Sequence, residues 1–439
     1  MENFLQNVSN IVWGPPLLIL LLGTHLFLSF RLRFIQRYIL LGIRISLSMK
    51  KEGAGDISQF GALVTALAAT IGTGNIIGVA TAVSAGGPGA VLWMWLTGVF
   101  GIATKYAEAL LAVKYRIKTA AGNMAGGPMY VLEHGLKAKW LAILFALFTV
   151  IASFGIGNMV QANSIAAMME QTFGLAPWIT GSFLAVLTGL VILGGIKSIA
   201  RTCRTLVPFM AIFYVSGCLI LLVMKWETIP ASFGLIIKSA FSGQAAIGGF
   251  LGAGVREVVR FGIARGLFSN ESGLGSAPIV AAAAQTRNPV RQALVSATGT
   301  FWDTVVVCAI TGLVIVNSGL WTQGLDGAAL SKSVFASIPV IGPFILTVGL
   351  MTFVYSTILG WSYYGEKSLE YLLGSKAIKP YRILWILAVV VGAVSSLTNV
   401  WAFADIMNGL MAIPNLVTLI CLHKIIVRDT RALLWAQKT

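Results

Sequence analysis

The stretch Thr70-Ile71-Gly72-Thr73-Gly74-Asn75-Ile76-Ile77-Gly78 lies in the middle of an apolar segment that runs from about 59 to 83. Two glycines separated by a threonine and followed by an asparagine combine poor helix propensity with a side chain that competes for backbone hydrogen bonds. At membrane depth every freed N–H and C=O must find a partner. Helix-breaking chemistry survives there only where it is buried in protein or lines a polar cavity. Residues 72–75 are therefore read as an unwound joint whose freed backbone groups bind something.

The surrounding composition supports that depth. The chain has 439 residues, of which 57% are hydrophobic and 10% charged, too little polar surface for a soluble domain. The expected fold class is an all-α polytopic membrane protein with eleven transmembrane helices. Apolar runs of about 20 residues, enough to cross about 30 Å of hydrocarbon, are centred near 22, 71, 102, 153, 186, 215, 262, 304, 356, 390 and 414. The run near 262 is the weakest and reads as broken or re-entrant.

The net charge of +16 raises nucleic acid as a partner, but its distribution excludes it. With the N-terminus outside, the loops on the inner side and the C-terminal tail carry 24 Lys and Arg, the outer loops three (Lys225, Lys238, Lys332), and the spans four (Lys105, Arg256, Arg260, Arg265). This is the positive-inside pattern of a multi-pass protein of the cell inner membrane, N-terminus outside and C-terminus cytoplasmic. The run 13–30 precedes Arg31, Arg33 and Arg37 without a small-residue cleavage pattern and reads as the first membrane helix, not a signal peptide. Residues 35–51 mix cations with apolar residues at helical spacing and are expected to lie in the inner interface. Cys203, Cys218, Cys308 and Cys421 have neither paired nor metal-ligand spacing and are expected as reduced, packed thiols.

A second anomaly is Gly266-Leu267-Phe268-Ser269-Asn270-Glu271-Ser272-Gly273-Leu274-Gly275-Ser276-Ala277-Pro278. It is either a discontinuous helix or an extramembrane loop; the apolar continuation to 284 and the charge map favour the helix. Setting the first helix and interfacial segment (12–58) aside, two groups of five spans remain, 59–225 and 244–426, each opening on a broken helix. Interrupted segments at corresponding positions of two inverted halves point to the midplane site of a secondary transporter. Within the spans, Lys105 and Glu108 share a face and read as a structural ion pair or an inner gate. Gln161 is interhelical glue or a ligand contact.

A broken helix presents N–H groups to an anion and C=O groups to a cation at one place, which suits a zwitterion with an alkali cation. Thr73, Gly74 and Asn75 can offer N–H groups to a carboxylate. Carbonyls around Ala68, Thr70 and Ile71, with the hydroxyls of Thr352 and Ser356, suit a hard monovalent cation such as the sodium ion. An enzyme is not expected. His25, His134 and His423 are far apart, and neither an HExxH nor a Walker A motif occurs. Glu271, Asp303 and Glu366 are candidate proton carriers.

The run Gly86-Gly87-Pro88-Gly89-Ala90-Val91-Leu92-Trp93-Met94-Trp95-Leu96-Thr97-Gly98-Val99-Phe100-Gly101 resembles the signature of the sodium:alanine/glycine symporter family, and 266–278 resembles its GLFSNE(A/S)G-GSAP stretch. The resemblance spans nearly the whole chain. It implies the inverted-repeat fold of the bacterial leucine transporter, within the amino acid-polyamine-organocation superfamily, and symport of small neutral amino acids, alanine and glycine, with sodium by a monomer in the lipid bilayer. By that resemblance Thr73, Gly74 and Asn75 hold the substrate carboxylate. Gln161, Phe268, Ser269, Ser272, Thr357 and Trp361 line the pocket, with Phe268 and Trp361 limiting side-chain size. Ala68, Ile71, Asn75, Thr352 and Ser356 form the sodium site. Ser272 stands where many relatives have Ala. Proton coupling through Glu271 or Asp303 and a transport-deficient amino acid sensor are the alternatives.

Overall fold

In a membrane the backbone satisfies its hydrogen bonds most simply inside helices, and among the described residues the apolar runs of this chain are helical apart from two breaks, near 72 and near 273. The computed structural model describes residues 2–48, 53–120, 122–242, 254–395 and 398–436. Among these residues eight helices are long and apolar enough to cross a membrane, or nine crossings if one bent pair is a single span. They are α1 (Asn7–Arg31), the bent pair α2 (Gln59–Thr70) and α3 (Gly74–Gly86), α4 (Ala90–Lys114), α5 (Lys139–Phe173), α7 (Gly195–Met224), α10 (Pro289–Ser318), α11 (Ile341–Leu373), α12 (Ser375–Val394) and α13 (Ala402–Cys421). The expected span near 186 is the shorter α6 (Pro177–Ile192). The one near 262 is a helix, α8 (Val255–Asn270), followed by a gap and one short turn, α9 (Ala277–Ala281). The expected start of the second group of spans, near 244, lies outside the described residues.

The helices sort into two sets by their contacts. α4 packs along α8 and α10, and α8 also lies against α3. On the other side α5 packs on α11 and α13, and α6 on α12. The broken pair runs between the sets, because α2 touches both α10 and α11. At the second of these contacts Gly360 lets the backbones meet: a Cβ there would lie 2.7 Å from the Ala69 nitrogen. Cys203, Cys218 and Cys308 are packed free thiols as expected, whereas Cys421 is exposed at the end of α13, where the helix surface turns outward.

At the end of the molecule where α2 begins, a strap joins the two broken helices. Ile57 pairs in parallel with Ala284, and the Asp56 N–H donates to the Ala283 carbonyl at 2.8 Å. Arg116, just past α4, donates to the carbonyls of Ala54, Ala282, Ala284 and Thr286 at 2.7–3.0 Å. A guanidinium is suited to this task because its five donors form a rigid fork. Replacing Arg116 by Ala leaves four carbonyls to water and should loosen the strap by about 1.5–3 kcal/mol, the usual worth of a hydrogen bond to a charged group. The expected readout is faster labelling of an Ala283→Cys probe by a membrane-impermeant maleimide in the Arg116→Ala background; an unchanged rate would mean that the strap closes without the arginine.

Candidate functional site

The first interruption forms as its residues dictate. Ser58 caps α2 by accepting the Gly61 N–H at 3.0 Å. The helix stops at Thr70, where Ile71 turns to extended backbone (φ −77°, ψ 100°), and α3 leaves at 57° to it. Asn75 holds the corner: its Oδ1 accepts the Gly72 N–H at 2.9 Å. Its Nδ2 donates to Asp303 Oδ1 on α10 at 2.7 Å. The N–H groups of Thr73 and Gly74 open α3, where a helix leaves its donors without intrahelical partners.

The second interruption is a discontinuous helix and not a surface loop, since every residue from 269 to 284 is buried. Glu271 ends α8 in the left-handed region (φ 54°), and Gly273 and Gly275 follow with φ of 92° and 86°, a path that glycine takes without strain. The freed N–H groups of Gly273 and Gly275 both donate to Glu108 Oε1, at 3.0 and 3.1 Å. Asn415 of α13 donates to the same oxygen at 2.7 Å. This corrects the expected Lys105–Glu108 pair. Glu108 instead caps the second break, and the Lys105 Nζ has no hydrogen-bond partner among the described residues.

Between the two interruptions lies a cavity of about 20 Å³, lined among others by Gly72, Thr73, Gly74, Gln161, Glu271 and Trp361. That is room for roughly one water, so an amino acid enters only if the helices part. Thr70, Phe268, Thr357 and Asn408 also line it. Of the expected substrate contacts, Thr73, Gly74, Gln161, Phe268, Thr357 and Trp361 therefore face one space. Asn75, Ser269 and Ser272 lie behind it, turned toward α10. The Ser269 hydroxyl donates to Asp303 Oδ2 at 3.0 Å, and Ser272 Oγ meets Thr300 Oγ1 at 3.1 Å. Asp303 also takes the Thr304 hydroxyl at 2.6 Å, so one buried carboxylate on α10 ties both broken helices together.

The cavity wall has acceptors to spare. Gln161 Oε1 and Asn408 Oδ1 are buried and have no hydrogen-bond partner among the described residues. Glu271 Oε1 accepts the Trp361 indole N–H at 3.0 Å, and its Oε2 accepts the Ser276 hydroxyl. Sequence reasoning named Glu271 only as a proton carrier and missed Asn408, an isolated amide in an apolar helix with no local pattern to mark it.

On the far side of the joint, oxygens of α2 meet hydroxyls of α11. Ser356 Oγ donates to the Ala68 carbonyl at 3.0 Å and Thr357 Oγ1 to the Ile71 carbonyl at 3.4 Å. These neutral oxygens fit a hard monovalent cation. Thr352, one turn earlier, donates to Val348 and Gly349 of its own helix and does not join the cluster. Among the described residues no group of three or more His, Cys, Asp or Glu could hold a metal ion.

The chain is similar to known transporters along its length. The sodium/alanine symporter AgcS of Methanococcus maripaludis is 52% identical over 441 residues, 98% of this chain and 96% of that protein. An uncharacterized transporter of Haemophilus influenzae is 53% identical over 436 residues, again 98% and 96%. The probable sodium/glutamine symporter GlnT of Bacillus subtilis is 36% identical over 437 residues, 97% and 89%. The crystal structure of MhsT in complex with L-phenylalanine, a transporter of the leucine-transporter fold, matches with a TM-score of 0.60 over 84% of this chain and 89% of that chain. Its 14% identity makes this a likeness of fold alone. The sodium:alanine symporter family model matches residues 1–439, and the chain belongs to that family.

Proposed function

We propose that this chain couples the inward movement of sodium to uptake of small neutral amino acids, alanine and glycine, by alternating access. The observation that carries the reading is the meeting of the two interrupted helices at one buried polar cavity. Thr73 and Gly74 at the opening of α3 line it together with Glu271, Gln161 and Asn408. A zwitterion fits such a pocket, its carboxylate on the N–H groups of Thr73 and Gly74 and its ammonium toward Glu271 and the free amide oxygens. Phe268 and Trp361 leave little room beyond a methyl side chain. Sodium sits between α2 and α11 on the Ala68 and Ile71 carbonyls and the Ser356 and Thr357 hydroxyls. Asn75 is a positioning residue that sets the corner, Ser269 and Ser272 brace the second helix from behind, and Thr352 lends its helix to the ion site without touching the ion.

The finer architecture belongs to the same reading: eleven spans in the cell inner membrane, N-terminus outside and C-terminus inside, working as a monomer. One N-terminal helix with its interfacial segment (12–58) precedes inverted repeats at 59–225 and 244–426. The arrangement of Lys and Arg and the paired interruptions support it.

Proteoliposomes loaded with potassium should accumulate labelled alanine when sodium is present outside, and lose that uptake when external sodium is replaced by choline. Uptake that follows an imposed proton gradient and ignores sodium would make Glu271 or Asp303 the coupling group instead. Asn75→Ala removes both the Gly72 cap and a hydrogen bond to a buried carboxylate, a loss of about 1.5–3 kcal/mol. Alanine affinity and sodium affinity should fall together, by about tenfold or more, in a scintillation proximity assay. Glu271→Gln keeps the shape of the pocket and removes the charge; the KM for alanine should rise by about tenfold or more while sodium affinity measured without alanine stays close to that of the parent. Equal damage to both constants would move Glu271 out of the substrate pocket.

A further inference from the structure

Lys105 on α4 is used by nothing described so far. Its side chain is 3% exposed, and its Nζ has no hydrogen-bond partner among the described residues. It lines a small cavity with Thr70, Asn270, Pro278 and Ser296. Thr70 lines the substrate cavity as well, so the two spaces share a wall at the first interruption. A buried ammonium without a partner is among the costliest groups a membrane protein can carry. It is retained where a charge is needed.

The buried titratable groups around the two interruptions are Glu108, Glu271, Asp303 and His25. Three of them are engaged elsewhere. Glu108 caps Gly273 and Gly275, Asp303 holds Asn75 and Ser269, and His25 Nδ1 shares a hydrogen bond with Thr104 at 2.8 Å. Glu271 is different, because it lines the substrate cavity and its neighbour Asn270 lines the cavity of Lys105. Its present partners, Trp361 and Ser276, are neutral donors.

A symporter must return empty after each delivery. With an amino acid bound, the substrate ammonium balances Glu271. After release, a carboxylate remains in a low-dielectric site, and an unbalanced charge there raises the barrier to any movement that buries it further. We propose that Lys105 is the resident counter-ion of Glu271, a tethered ammonium that takes the place of the substrate's ammonium during the empty return. Lysine suits the role better than arginine in one respect: its point charge on a flexible four-carbon stem can move between two cavities that share a wall. The inference rests on the reading of the pocket as an amino acid site, with Glu271 facing the ammonium.

Two transport modes separate this role from a structural one. Net sodium-driven alanine uptake requires the empty return, whereas exchange of labelled for unlabelled alanine across the proteoliposome membrane, with equal sodium on both sides, does not. For Lys105→Met, net uptake should fall by about tenfold or more while exchange stays within about twofold of the parent. Lys105→Arg, which keeps the charge, should recover most of the net uptake. The exchange rate itself reports that the Met variant is folded. Equal loss of both modes, or loss of neither, would overturn the proposal. If the unsubstituted protein moves alanine in neither mode, the reading of the pocket as an alanine site falls, and this inference with it.

Discussion

Breaking a helix inside a membrane leaves backbone groups with no water to satisfy them, and this protein does so twice. The cost is met by two buried carboxylates. Glu108 Oε1 gathers the N–H groups of Gly273 and Gly275 with the Asn415 amide. Asp303 holds Asn75, which in turn caps Gly72, and also holds Ser269 from the other broken helix. Each carboxylate gathers several donors, so removing either side chain would leave more than one buried group unpaired. Both acids come from helices that pack directly on the interrupted segments, α4 and α10. The shape of the pocket therefore depends on residues that never face it.

This division of labour explains why the polar groups near the site fall into two layers. Lining the cavity are Thr73 and Gly74, Glu271, and two amide oxygens, Gln161 Oε1 and Asn408 Oδ1, with no partner among the described residues. Behind it are groups whose capacity is spent. Asn75, Ser269 and Ser272 are bonded to α8, α10 or the corner itself. A ligand can use only the first layer, and a substitution in the second acts through the position of the helices.

The strap at Ile57 and Ala284, clamped by Arg116, places the start of α2 against the chain leaving α9. The two interrupted helices thus meet at their middles and are tied at one end. The contacts that make the tie are few and polar: one bridge, two backbone bonds and the Arg116 fork.

The sequence by itself determined the helical membrane class and the first break, favoured a second, and suggested a pairing of amide donors with cation-facing carbonyls. These follow from local chemistry: apolar run length, glycine and asparagine within an apolar segment, and the orphan groups that any helix end presents. Thr73 and Gly74, the Ala68 and Ile71 carbonyls and the Ser356 hydroxyl were singled out for the same reason, whereas Gln161, Phe268, Thr357 and Trp361 were expected at the pocket only through the family resemblance. Spacing also suggested that Lys105 and Glu108 form a pair, because residues three apart on a helix are neighbours. Only the tertiary structure decided otherwise, since two backbone amides and Asn415, distant in sequence, compete for the same oxygen and win. The role of Asp303, the burial of Asn408 in the pocket and the withdrawal of Ser269, Ser272 and Thr352 from it were decided in the same way. Which side of a helix becomes a site depends on what packs against the other side, and no local pattern in the chain encodes that.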